Sequence, residues 1–203
     1  MKKNKTKVLV QLALMIGIII VMGFTPLGFI RIPPIAITML HIPVIVGSIV
    51  MGSGCGAVLG FTFGVVSMWN ATINPLPPPA LSWMLSPFAS GYPLLSVVLC
   101  FVPRIILGIL PALLLKLFSR KKTAGRFAIG ASAGISTLAH TFIFLGLINI
   151  FPSDKVGMPM PMQIMSIIKT VASLNGSLEF IAAITVSAAI CKGLIRFTGK
   201  GNA

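Results

Sequence analysis

The chain has 203 residues, of which 56% are hydrophobic and only 9% charged, with a mean hydropathy of +1.04. An ordinary soluble domain is ~25% charged. So oily a chain cannot cover a soluble surface with polar groups, which excludes a soluble globular enzyme and equally a disordered segment. Sixteen Lys and Arg face two acids, Asp154 and Glu179, for a net charge of +14.

At ~20 apolar residues per crossing, the length accommodates about six membrane spans with short loops. They are expected at about 8–24, 35–51, 54–72, 94–118, 127–151 and 174–195. The expected fold is therefore an all-α, six-helix integral membrane protein, with residues 1–203 forming one transmembrane domain. The first span follows Lys7 and resembles a signal peptide, but Thr25-Pro26-Leu27-Gly28-Phe29 carries no small-x-small cleavage pattern. It is read as a retained helix.

The cations sit at the ends of apolar runs. Lys2, Lys3, Lys5 and Lys7 precede span 1. Lys116, Arg120, Lys121, Lys122 and Arg126 lie between spans 4 and 5, and Lys192, Arg196 and Lys200 close the chain. The opposite side receives Arg31, Lys155 and Lys169. The positive-inside rule then places both termini in the cytoplasm. Clustering of this kind is topology information, not a groove for nucleic acid, and no nucleic-acid partner is expected.

Three outer loops are long and proline-rich: 25–34, 73–93 and 151–173. Long loops without regular structure usually serve as lids or linkers. With Trp83, Met84, Phe88 and Tyr92 among them, these read as ordered lids over an outward mouth. Residues 163–173 form an amphipathic stretch that either lies at the interface or extends span 6. The inner loop Gly52-Ser53-Gly54 is minimal. No internal repeat of the secondary-transporter kind is evident.

Arg104 is the most informative residue. It lies about ten residues into span 4, hence ~15 Å deep, where an unpaired cation costs a few kcal/mol or more. Two readings are open. Arg104 pairs with Glu179 of span 6 and pins the two spans, or it receives a ligand carboxylate by bidentate hydrogen bonding. Pro103 beside it lacks an N–H and frees the Leu99 carbonyl. On span 5, Ser132, Ser136 and His140 share a face, with Thr137 and Thr141 flanking it. The Ser and Thr hydroxyls can bond their own helix or a neighbour. His140 needs a partner on each ring nitrogen.

Thr38 and His41 in span 2, Asn70 with Ser67, Trp69 and Thr72 in span 3, and Asn175 and Glu179 in span 6 all fall in outer halves. One outward-facing pocket accounts for them together; interfacial solvation of helix ends is the plain alternative. Candidate binding residues are Arg104, His41, Thr38, Asn70, Trp83, His140, Asn175 and Glu179. Ala13 and Gly17 make a small-xxx-small pattern for close helix approach, repeated at Gly60–Gly64 and Gly130–Gly134. Cys55, Cys100 and Cys191 lie in apolar runs without metal-ligand spacing and read as buried thiols. No Walker A motif, metal-ligand set or nucleophile–base pair is present, so neither catalysis nor a metal is expected, and uphill transport needs an energised partner.

Four stretches in this order resemble the substrate-binding S component of an energy-coupling-factor (ECF) vitamin transporter: Pro34–Gly47 (PIAITMLHIPVIVG), Gly60–Ser67 (GFTFGVVS), Phe101–Gly108 (FVPRIILG) and Asn175–Glu179 (NGSLE). The resemblance covers all six spans. It implies a high-affinity vitamin receptor that topples in the membrane to release its ligand inward. It also implies partners: a transmembrane coupling subunit and two ATPases, which use the ATP, with no cofactor in this chain. By that resemblance Ala13 and Gly17 match the motif that docks on the coupling subunit, with Gly where Ala is typical. The loops after spans 1 and 3 become ligand lids. Related sequences often carry Asn near the position of His140. Arg104 favours an anionic vitamin, pantothenate first. Folate, riboflavin and a pyridoxine-like vitamin are alternatives, since Trp83, Tyr92 and Trp69 can stack on a ring. A ligand-free assembly subunit, a channel and an autonomous carrier are the other classes.

Overall fold

The computed structural model describes residues 5–32, 35–73, 84–120, 126–148, 150 and 174–197. Within them lie helices α1 (Lys5–Phe24), α2 (His41–Met51), α3 (Ser53–Ile73), α4 (Pro93–Arg120), α5 (Arg126–Ile148) and α6 (Leu174–Phe197). A hairpin of β1 (Phe29–Ile32) and β2 (Ile35–Thr38) separates α1 from α2. Four stretches, Lys5–Phe24, Ser53–Ile73, Pro93–Phe118 and Phe127–Ile148, are long and apolar enough to cross a membrane. The helical architecture agrees with the sequence reading, and helices stand where five of the spans are expected, four of them long and apolar enough to cross.

The second span is corrected. Its first four residues are a strand, paired antiparallel with β1 from Phe29↔Thr38 to Ile32↔Ile35. An apolar run does not by itself distinguish strand from helix. Here Ile35-Ala-Ile-Thr38 supplies β-branched residues at alternate positions, which suit a pleated ladder. The helix that follows has 11 residues, about 16 Å, half of a ~30 Å hydrocarbon core. Pro43 falls in its first turn, where a missing N–H costs no helical bond. The Met39 N–H, which donates to the Gly28 carbonyl at 3.0 Å, extends the ladder by one pair at the open end of the hairpin.

This short helix is the centre of the packing. His41, Pro43 to Ser48 and Met51 are buried. Val44 and Ile45 join Leu59, Phe63 and Val66 of α3 and Leu107 of α4 in one cluster, with Ile19 of α1 and Ala183 of α6. The α2–α3 turn is made by Gly52 at φ 107°, a left-handed value that suits glycine. Its N–H caps α2 on the Ser48 carbonyl at 2.8 Å. On α1, by contrast, Leu9, Val10, Leu14, Val21 and Phe24 face outward, as a lipid-bathed helix allows.

Helices α3 and α4 form the tightest pair. A Cβ on Gly56 would collide with the Gly108 carbonyl, and one on Gly60 with the Arg104 carbonyl. Without side chains there, the two backbones touch, the arrangement favoured where lipid offers no hydrophobic drive. Gly130 and Gly134 of α5 instead make room for side chains of α6, those of Ile184 and Phe180. Nothing lies within 4 Å of a Cβ built on Gly17.

Between α3 and α4, Met84–Tyr92 is described, and it is folded onto the bundle. Met84 and Leu85 are buried with Ala71, Leu99 and Cys100. Ser86 bonds Thr72 at 3.1 Å, Ser96 donates to Ser90 at 2.7 Å, and the Cys100 thiol donates to the Leu85 carbonyl at 3.3 Å. The loop of residues 151–173, with its amphipathic 163–173 stretch, lies outside the described residues.

Overpacking a close helix contact costs ~1–3 kcal/mol. Gly56→Ala should therefore lower the thermal midpoint of the purified chain in detergent by about 3–10 °C. Gly17→Ala should leave it within about 1 °C. Equal midpoints for the two variants would contradict the assigned α3–α4 contact.

Candidate functional site

Three of the expected site residues meet where α2, α4 and α5 converge. Arg104 is 6% exposed, His41 5% and His140 7%. Two phenylalanines frame them. The Arg104 guanidinium carbon lies 4.7 Å from the Phe144 ring centroid and 5.6 Å from that of Phe63. Desolvated cation–π contacts of this kind are worth up to ~2 kcal/mol each. The His140 ring stacks on Phe144 at 6.1 Å with an interplanar angle of 5°, and on Phe63 at 6.4 Å. His41 meets Phe63 edge-on at 5.4 Å.

The backbone around Arg104 explains how the cation is held. Proline at 103 has no N–H to give to the carbonyl four residues back. That freed Leu99 carbonyl accepts a bond from Arg104 Nη1 at 2.6 Å, a short, charge-assisted contact. Arg104 Nε is buried and has no hydrogen-bond partner among the described residues. A carbonyl and two ring faces solvate the guanidinium in part, but none of them carries a negative charge. The expected ion pair with Glu179 falls outside the described side chains, as does the side chain of Asn175; both residues lie on α6. Trp83 also lies outside the described residues.

The two histidines touch. His41 Nε2 and His140 Nδ1 are 3.4 Å apart. His41 Nδ1 lies 2.8 Å from the Thr38 carbonyl, so Thr38 reaches the site through its backbone. His140 Nε2 is buried and, like Arg104 Nε, unpartnered among the described residues.

Other polar residues are engaged elsewhere. Asn70 Nδ2 donates to the Gly23 carbonyl at 2.5 Å, which pins α3 to the end of α1. On α5, Ser132 donates to Ile129, Ser136 to Ser132, Thr137 to Ala133 and Thr141 to Thr137. These four hydroxyls bond their own helix, and His140 is the member of that stripe in the cluster. Trp69 is 53% exposed and packs edge-on against Phe24 at 6.4 Å, so it stands on the outer surface. Phe63 and Phe144 were not singled out from the sequence. The available signal was spacing: Phe144 follows His140 by one turn, on the same face.

The family model described as ECF transporter, substrate-specific component, matches residues 7–198. The chain is similar to the "Pantothenic acid transporter PanT" of Lactococcus lactis subsp. cremoris, with 31% identity over 97% of each protein. It is also similar to the "Pantothenate transporter PanT" of Leuconostoc mesenteroides, with 25% identity over 96% of this chain and 95% of that one. With its apolar helices, this is a multi-pass cell-membrane protein with a role in transport. The chain belongs to the ECF transporter substrate-specific component family.

Proposed function

We propose that the chain captures pantothenate at the Arg104 cluster and delivers it into the cell as the S component of an ECF-type ABC importer. The single observation that carries the ligand reading is the buried guanidinium with its Nε unpaired between two aromatic faces. A carboxylate supplies the missing charge, and its bond to a desolvated guanidinium is stronger than the same bond in water. Pantothenate carries a carboxylate, an amide and two hydroxyls. The names of the two relatives support it over folate, riboflavin or a pyridoxine-like vitamin. Thr38 and His41 join Arg104 and His140 as binding residues. Asn175, Glu179 and Trp83 are proposed to complete the site from α6 and the loop before α4, while Asn70 supports it by anchoring α1.

In this reading the chain crosses the membrane six times, the second crossing made by the 11-residue α2 together with the hairpin before it, with both termini cytoplasmic. The described loop between α3 and α4 and the β1–β2 hairpin close the outer mouth. The partners are the coupling subunit and two ATPases that consume ATP. Ala13 and Gly17 on the outward face of α1 are the docking surface. The open space beside Gly17 supports this, since a partner helix can approach there.

Equilibrium dialysis of the purified chain against radiolabelled pantothenate should show saturable binding that excess riboflavin, folate or pyridoxine does not displace. Arg104→Ala, with helicity retained by circular dichroism, should weaken binding at least tenfold, about 1.4 kcal/mol. Unchanged affinity in that variant removes the carboxylate contact.

Gly17→Leu should leave pantothenate binding by the isolated chain within about twofold, a difference under ~0.5 kcal/mol. It should abolish energised uptake when the chain is co-expressed with the other three subunits. Uptake at the unmutated rate would exclude this face of α1 as the docking surface.

A further inference from the structure

Beyond the carboxylate contact, the cluster contains a directional chain of hydrogen bonds. We propose that the Thr38 carbonyl, His41 and His140 form a tautomer relay that presents His140 Nε2 as a bare acceptor. The site then selects a ligand carrying an O–H or N–H donor as well as its negative charge. The proposal rests on the ligand reading above and adds a second point of recognition to it.

The direction follows from the first link. A carbonyl oxygen only accepts, so the hydrogen between it and His41 sits on Nδ1, at 2.8 Å. In a neutral imidazole one nitrogen donates and the other accepts. His41 Nε2 is therefore a lone pair. The hydrogen in the 3.4 Å contact to His140 must then come from His140 Nδ1. That leaves His140 Nε2 as a lone pair too, buried and without a partner among the described residues. Both rings are neutral in this scheme, because Arg104 already places one positive charge among the same phenylalanines and a second buried cation is costly. The charged and titratable side chains described around the rings are His41 on α2, Arg104 on α4 and His140 on α5. The chain's acids, Asp154 and Glu179, lie outside the described side chains.

Two unsatisfied buried atoms of opposite sense result. Arg104 Nε–H is a donor in need of an acceptor, and His140 Nε2 is an acceptor in need of a donor. They are not bonded to each other, although Arg104 and His140 lie against the same Phe144 ring. A buried polar atom left without its bond is unfavourable. A single guest with an anionic group and a hydroxyl or amide N–H satisfies both. The residue that sets the sense of the relay is Thr38, at the end of β2, so the hairpin and the site are coupled. Withdrawing the Thr38 carbonyl removes the constraint on His41 and allows both rings to invert, which turns the acceptor into a donor. His41 is thus a positioning residue acting through His140.

The chain has two histidines, which makes the test clean. Long-range proton–nitrogen NMR of the full chain labelled with 15N-histidine reads the tautomer of each ring, with His140→Gln used to assign the His41 signals. The relay predicts neutral, Nδ1-protonated rings for both histidines, and a shift of the His140 Nε2 resonance toward a hydrogen-bonded position when pantothenate is added. A proton on Nε2 of either ring, or an imidazolium, overturns it even if pantothenate binds. Binding of two analogues reads the ligand side: pantothenate without its hydroxyls, and pantothenate with its amide N-methylated. At least one should bind tenfold more weakly than pantothenate to the wild-type chain, and that discrimination should vanish in His140→Phe. If both bind as pantothenate does, the acceptor role is wrong while the Arg104 contact stands. If pantothenate itself fails to bind, the ligand reading falls and takes the second recognition point with it.

Discussion

A guanidinium removed from water retains its charge, and everything near Arg104 answers to that. One helical hydrogen bond is given up at Pro103, and the Leu99 carbonyl it releases turns to Arg104 Nη1. Phe63 and Phe144 offer their electron-rich faces from two other helices. These contacts make burial tolerable without neutralising the charge. Among the described side chains nothing supplies the opposite charge, which suits the site to an anion that arrives and leaves.

The packing of the bundle serves this arrangement. Gly60 lets α3 lie against the Arg104 carbonyl, and Phe63, three residues on, reaches the guanidinium as a result. The brevity of α2 matters equally. Eleven residues place His41 at the start of a buried helix, directly under the hairpin end that supplies the Thr38 carbonyl. A second helix running from Ile35, as the apolar run first suggests, would engage that carbonyl in helical hydrogen bonding and remove the hairpin above the site.

Much of this was legible from the residues. Arg104, His41 and His140 stand out because a titratable group in an apolar run has few comfortable places, and all three converge. The Pro103–Leu99 link follows from backbone stereochemistry alone. The phenylalanines were not legible, because an aromatic residue in an oily helix reads the same whether it faces lipid or a cation. Trp69 shows the converse: a ring that suits stacking on a ligand stands at the outer surface beside Phe24. Asn70 and the span 5 hydroxyls illustrate a third case. Polar groups in membrane helices need partners, and a nearby carbonyl supplies one as well as a ligand does. The hairpin was hidden because apolar β-branched residues satisfy both a strand and the start of a membrane helix.

The central claim is that an anion from outside binds Arg104. Mass spectrometry of the chain purified from pantothenate-containing medium, released from its detergent micelle intact, tests this most directly. One bound molecule with the mass of pantothenate is the predicted result, absent from the Arg104→Ala chain prepared in parallel. An adduct that is uncharged, or one retained equally by both chains, would contradict it.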